Sequence, residues 1–387
     1  MVRVLHSRRR LSTDKPSPHI YNDMMQSSTK GTEYRPTPIS GSESQAMRGV
    51  AILCIMFHNF LHLILPTVEN EFTFSILNTD IFVESLSTRP AWAMADIMSF
   101  LGWYGVAVFI FLSGYGLVRK YECNNEHDLQ LWSFAKDRWL KLFRLMVVPM
   151  TIFVLLWSCF KGQIFPIEKF VQQLALIGNI VFPSSIQPGV YWFFGLIFQL
   201  YIIYRLCIYR RSKSYILIVN IIAFAIFVAV WLLGNDTAMS ALRHNCIGWI
   251  LPFTLGAMFA RHDLSMLFAR RWVMWLMVIL SGAVLTLLNY NLVLWYFSPV
   301  AAIVAAISLA KLWRGGVWLG ALSSSLFVMH PIVRYVALQD SVKSLFGISG
   351  DAAYSISIIP LLATYIAVSV LAAVLYRHIH SRLFDHK

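Results

Sequence analysis

After residue 45 the chain is a succession of apolar runs, each about twenty residues long, separated by short polar connections. A run of that length, wound as a helix, crosses a hydrocarbon core of roughly 30 Å. In lipid every backbone N–H and C=O must be satisfied within the chain, and an apolar helix does so by itself. The pattern therefore predicts an all-α, polytopic integral-membrane helical bundle of about ten transmembrane helices. By run length they fall at about 46–65, 102–118, 144–160, 190–208, 214–233, 246–260, 271–290, 294–311, 317–338 and 354–376. A weaker stretch around 168–182, bounded by Pro166 and Pro183, reads as a short interfacial or re-entrant segment.

Composition supports a bilayer. Only 13% of the residues are charged and 58% are hydrophobic, whereas a soluble domain carries about 25% charge. The 27 Phe, 16 Tyr and 13 Trp suit aromatic belts at two membrane interfaces. The net charge of +13 does not form a single basic patch of the kind that binds nucleic acid. It is spread over short loops, where insertion topology accounts for it. The five cysteines contain no CxxC pair, so neither a disulfide framework nor a thiolate metal site follows.

The basic residues alternate along the chain. With the N-terminus inside, the cytoplasmic loops carry Arg119, Lys120, Lys136, Arg138, Lys141 and Arg144, then Arg210, Arg211 and Lys213, then Arg261, Arg270 and Arg271. Outer loops carry few cations but several acids, with Glu69, Glu71, Asp80, Glu84 and Asp96 crowded between residues 66 and 101. The expected topology is multi-pass in a plasma (inner) membrane with both termini cytoplasmic. Residues 1–45 read as a disordered cytoplasmic tail, because they are polar and no apolar segment follows Arg8-Arg9-Arg10. Residues 379–387 read as a short cytoplasmic tail. No acid lies deep in any run, which speaks against an intramembrane carboxylate relay or metal site.

The first run holds the best candidates for chemistry, Arg48 at its start and His58 beyond its middle. An ionisable side chain at that depth is costly and usually marks a site. A neutral imidazole can serve as general base near neutral pH. The bland alternative is a structural histidine bonded to a neighbouring helix.

Several motifs carry a family resemblance. Ser44-Gln45-Ala46-Met47-Arg48-Gly49-Val50-Ala51, running to Phe57-His58, resembles the first helix of the membrane-bound acyltransferase 3 family. Gly105 to Tyr115, the basic run Arg138 to Arg144 closed by Pro149, Tyr191-Trp192-Phe193 through Tyr201, and Ser325 to Pro331 resemble its later landmarks in the same order. The resemblance implies an acyltransferase 3-like domain over residues 46–378. Its ten helices would transfer an acyl group, commonly acetyl, from cytoplasmic acyl-CoA to a hydroxyl. The acceptor would be a glycan, a lipid-linked saccharide or a similar extracytoplasmic molecule. Acetyl-CoA is then a donor substrate, with no permanently bound cofactor and no metal. The family's arginine and histidine map onto Arg48 and His58.

One departure stands out. The family places ten residues between arginine and histidine, and this chain has nine. On a helical wheel Arg48 and His58 diverge by about 80°, where the usual spacing leaves about 20°. A π-bulge or a non-helical start would restore the alignment. Otherwise Asn59 takes the expected slot, and His62 is a reserve candidate. Arg138, Lys141 and Arg144 are candidates for the CoA phosphates, or are topology residues only. His62, Asn59 and Trp192 are candidates for an acceptor pocket. Ser113-Gly114-Tyr115 reads as helix packing, and His330 as a structural histidine. A transporter without acyl chemistry, with His58 lining its path, is the competing reading.

Overall fold

The structure is a computed structural model, and it describes residues 38–123, 129–262, 264–348 and 354–384. Most of the expected N-terminal tail and the last three residues lie outside the described part. Among the described residues every regular element is helical. The longer helices are α1 Gly41–Leu61, α2 Ile76–Thr88, α3 Ala93–Leu101, α4 Gly105–Tyr121, α5 Leu131–Lys161, α6 Ile167–Leu174 and α7 Trp192–Ile203. They continue as α8 Lys213–Leu232, α9 Asp236–Arg243, α10 Ile250–Arg261, α11 Arg271–Leu288, α12 Leu292–Leu312, α13 Val317–Ala337 and α14 Ile358–Phe384.

Among the described residues eight helical stretches are long and apolar enough to cross a membrane. Two of the ten expected spans fall outside that set. The first is α1, which has the length but carries Glu43, Arg48, His58 and Asn59. The other is the stretch Cys246–Arg261, which is apolar but shorter. The stretch between Pro166 and Pro183 is α6 followed by a single turn at Gly178–Val181.

Helix α1 is the hub. It starts on a capping box, with Ser40 Oγ accepting from the Glu43 amide at 3.2 Å and the Glu43 carboxylate accepting from the Ser40 amide at 2.7 Å. Those bonds satisfy two of the orphan donors at a helix start. Against α13 the backbones nearly touch. A Cβ on Gly49 would lie 2.0 Å from the Gly316 oxygen, and one on Gly320 would lie 1.8 Å from the Gln45 oxygen. On its other side, a Cβ on Gly105 would meet the Ala51 oxygen at 2.5 Å. Small residues at such crossings let membrane helices pack by close van der Waals contact. The same logic joins α4 to α10, where Gly114 and Gly256 face the backbones of Phe253 and Phe111. Ser113-Gly114-Tyr115 is thus packing, as expected.

The acidic connection between α1 and α4 folds into α2 and α3, and residues 62–75 turn back over the end of α1. Asn70 anchors this turn. Its Oδ1 accepts from the Ser75 amide at 3.2 Å and from Asn78 Nδ2 at 3.0 Å. Its main-chain oxygen accepts from Trp295 Nε1 at 2.9 Å, and Thr79 donates to the Asn289 carbonyl at 3.2 Å. The loop is therefore pinned to α12 and to the turn after α11.

Candidate active site

His58 sits near the end of α1 and is 2% exposed. Its Nδ1 lies 2.7 Å from the carbonyl oxygen of Ser99 in α3. A carbonyl only accepts, so Nδ1 carries the hydrogen and Nε2 is left for chemistry. Nε2 lies 3.5 Å from Oε2 of Glu71. The tautomer and ring plane are thus fixed from one side, and a carboxylate faces the reactive nitrogen from the other. The ring also stacks on His62, with centroids 4.7 Å apart. His62 in turn donates Nδ1–H to the His58 carbonyl at 2.7 Å.

No acid was expected beside this histidine, because none lies in a span. The loop supplies two. Glu71 is buried at 7% exposure, and Glu69 stands close enough for its charge to act on His58. Burial raises the Glu69 carboxyl above its ordinary value, and His58 partly opposes that shift. A ring nitrogen of His58 and one carboxylate oxygen from each glutamate lie within 4.8 Å of one another. An imidazole and two carboxylates at that spacing are a donor set that a divalent cation could bridge.

Arg243, at the end of α9, holds the loop in place. Its Nε donates to the Glu71 carbonyl at 2.9 Å and its Nη1 to the Gly248 carbonyl at 3.0 Å. The guanidinium lies 4.2, 4.9 and 5.5 Å from the ring centroids of Trp249, Trp295 and Trp103. Three indole faces replace part of its lost hydration.

His58, Glu69 and Glu71 line a cavity of about 920 Å³. Its wall includes Asn59, His62, Trp192 and Arg334, with Lys161 and Lys169 also contributing. Asn59 donates Nδ2–H to the Ile55 carbonyl at 2.9 Å and accepts from Arg334 Nη1 at 2.8 Å. Trp192 packs edge-on to Phe72 and to His244 and is 5% exposed. Tyr191 is fully buried, and its hydroxyl donates to the Val328 carbonyl at 2.8 Å. It is therefore an anchor within the wall. The four residues at the end of α1 and on α7 that the sequence singled out, His58, Asn59, His62 and Trp192, thus share one cavity.

Arg48 does not join them. It lies inside regular α-helix, so neither a π-bulge nor a late helix start realigns it with His58. Its charge acts on Lys141, together with those of Arg138 and Lys120. Arg138 donates Nη2–H to the Tyr121 hydroxyl and lies over the rings of Tyr121, Phe134 and Tyr201. Arg144 turns away towards α14, with its guanidinium 5.9 Å from the Phe384 ring. His330 donates Nδ1–H to the Leu326 carbonyl at 2.8 Å inside continuous α13 and lies outside the cavity wall.

Glu71, Glu69, Ser99, Arg243 and Arg334 went unnamed as site residues in the sequence reading. The crowd of acids between residues 66 and 101 was the available signal for the two glutamates. Nothing local marks Arg243 or the Ser99 carbonyl, whose roles depend on contacts 172 and 41 residues away in sequence.

These features define a multi-pass membrane protein with a polar, histidine-bearing cavity at the end of a tightly clamped helix. A model of the acyltransferase 3 family, described as an acyltransferase domain, matches residues 43–378, and the chain belongs to that family. No curated protein and no solved structure matches the chain.

Proposed function

We propose that this protein is an integral-membrane O-acyltransferase, with acetyl as the transferred group. Acyl-CoA on the cytoplasmic side would be the donor, and the acceptor a hydroxyl of a cell-surface glycan or a similar molecule outside. The observation that carries this reading is the His58–Glu71 pair at 3.5 Å inside a substrate-sized cavity, with Nδ1 already committed to Ser99. Family membership gives the acyl chemistry its class.

In this reading Nε2 of His58 takes the proton of the acceptor hydroxyl as its oxygen attacks the thioester carbonyl. Glu71 stabilises the imidazolium that forms. As the tetrahedral intermediate collapses, CoA leaves as thiolate and takes the proton from Nε2, so the pair returns to its starting state. Arg48 on the first half of α1 and Arg138 and Lys141 on the first half of α5 gather towards the other end of the bundle from His58, the cytoplasmic end in the positive-inside topology. Arg48 and His58 are separated by roughly 15 Å of helix, a distance suited to an extended pantetheine arm. The phosphates would rest on the basic group and the thioester would reach the histidine.

The test uses purified protein in detergent, acetyl-CoA and a panel of sugar acceptors, with release of free CoA followed by a thiol reagent. Acceptor-dependent release that His58→Ala abolishes is the expected result. A transporter would release none.

A further inference from the structure

Arg334, near the end of α13, is an uncompensated cation in the cavity wall. Its Nη1 donates twice to Asn59, at 2.9 Å to the carbonyl oxygen and 2.8 Å to the side-chain oxygen. Among the described residues no carboxylate lies within ion-pair distance of it. Its Nε and Nη2 make no hydrogen bond, yet neither is a buried orphan, so both open onto the cavity that Arg334 lines. The contrast with Arg243 is direct. That guanidinium is walled in by tryptophans, and its Nη2 is a buried orphan.

Nε–H and Nη2–H form the side-on edge of a guanidinium, the edge that pairs bidentately with two oxygens of a carboxylate or phosphate. Taking a cation out of water costs several kcal/mol unless a counter-charge meets it. Asn59 offers only neutral oxygens. Gly189 lies across from the open edge, where a Cβ would stand 3.8 Å from Nη2, so the space beside that edge is unfilled. Lys161 and Lys169 add positive charge to the same cavity. Asn59 follows His58 by one residue, or about 100° round the helix. An anion held there would flank the imidazole and leave Nε2 free.

We propose that Arg334 is an oxyanion-binding subsite for the acceptor. The group to be acylated then sits on a molecule that also carries a carboxylate or phosphate near its reactive hydroxyl. This rests on the acyl-transfer reading for the word acceptor, but the subsite is a binding property and is tested as one. The probes are D-glucuronate, D-glucose 6-phosphate and neutral D-glucose. Each is titrated into purified protein in a neutral detergent at fixed ionic strength, with the fluorescence of the cavity tryptophans as signal. Wild type should bind at least one of the two anions at least tenfold more tightly than glucose, and comparing the two separates carboxylate from phosphate. Arg334→Gln should erase that preference. Arg334→Lys, a point charge without the fork, should keep part of it.

If Arg334→Gln fails to fold, Gly189→Asp decides. It leaves the bonds to Asn59 intact and places a carboxylate beside Nη2, so it should abolish the anion preference. An anion preference absent in wild type, or unchanged in Arg334→Gln or Gly189→Asp, overturns the subsite. Failure of the transfer reading would look different. The anion preference would persist, but no probe or acceptor would drive release of CoA from acetyl-CoA.

Discussion

Arg243 Nε donates to the main-chain oxygen of Glu71 at 2.9 Å, while the Arg243 carbonyl accepts from Trp249 Nε1. One side chain and its own backbone thereby tie the acidic loop to α9 and to the start of α10. Burial pushes this guanidinium down to about 10, so it stays charged at neutral pH. Arg243→Lys keeps the charge but cannot reach both the Glu71 and Gly248 carbonyls. Charge-assisted bonds of this kind contribute roughly 1.5–3 kcal/mol each. The variant should melt several degrees lower in detergent and lose acyl transfer in parallel. Unchanged activity would mean that the loop holds Glu71 without it.

His58→Ala should lower kcat by roughly 10²–10⁴-fold with near-normal folding. Glu71→Gln keeps the shape and removes the charge, so it should lower kcat by less. Because the two act as a unit, the double variant should be no slower than His58→Ala alone. Additive losses in steady-state kinetics would separate the pair into independent roles.

The basic end should behave differently. If Arg138 and Lys141 hold the CoA phosphates as proposed, Arg138→Ala and Lys141→Ala remove contacts made equally in ground and transition states, and KM for acetyl-CoA should rise about ten- to a hundred-fold with kcat little changed. Arg144→Ala should do neither, since that side chain lies against Phe384. Calorimetric titration of acetyl-CoA checks all three. Normal donor binding in the first two variants would reduce the cluster to a topology signal.

Glu69 gives a pH signature. Its carboxyl is raised by burial, so the folded protein holds that proton more tightly than the unfolded chain does. The cost of ionising it is absent below the unfolded value of about 4.3 and develops as pH rises through the folded value. Glu69→Gln removes that cost. Its melting temperature relative to wild type should climb between pH 4.5 and pH 8. A flat difference across that range would show the carboxylate to be well solvated.

The packing of α1 is equally exposed to test. A Cβ at Gly320 would stand 1.8 Å from the Gln45 oxygen, a backbone atom that cannot rotate aside. Gly320→Ala should therefore sharply reduce the yield of folded, monodisperse protein, whereas Gly282→Ala, which meets nothing within 4 Å, should be silent. Equal behaviour of the two would contradict the tight α1–α13 crossing.

Much of this was legible beforehand. Run length and loop charge are properties of contiguous residues, so the helical bundle could be read directly. His58, Asn59 and His62 were legible too, because one helix end carries all three. Arg48 and His58 diverge round α1 as their spacing implies, and the helix makes neither a π-bulge nor a late start that would realign them. His58 needs no alignment with Arg48 when Ser99 and Glu71 orient it. The acids were misjudged for a related reason. Hydropathy reports where a residue sits in the chain, and only tertiary folding brings Glu71, thirteen positions after His58, back to its ring. Nothing in the sequence shows that Arg334 would bond Asn59, 275 residues away, and line the same cavity.

The glycine contacts along α1 have a consequence for how such a protein can diversify. A helix whose neighbours exclude a single methyl group cannot change its surface without losing its place. The imidazole is therefore held in its place on α1. The rest of the wall includes short turns around Ser185 to Gly189 and the ends of α5 and α13, where Lys161 and Arg334 stand. At Gly189 in that wall a Cβ would meet only Arg334 Nη2, at an ordinary 3.8 Å. In the acyl-transfer reading proposed above, a change of acceptor would then fall on that wall, with His58 left in its place on α1.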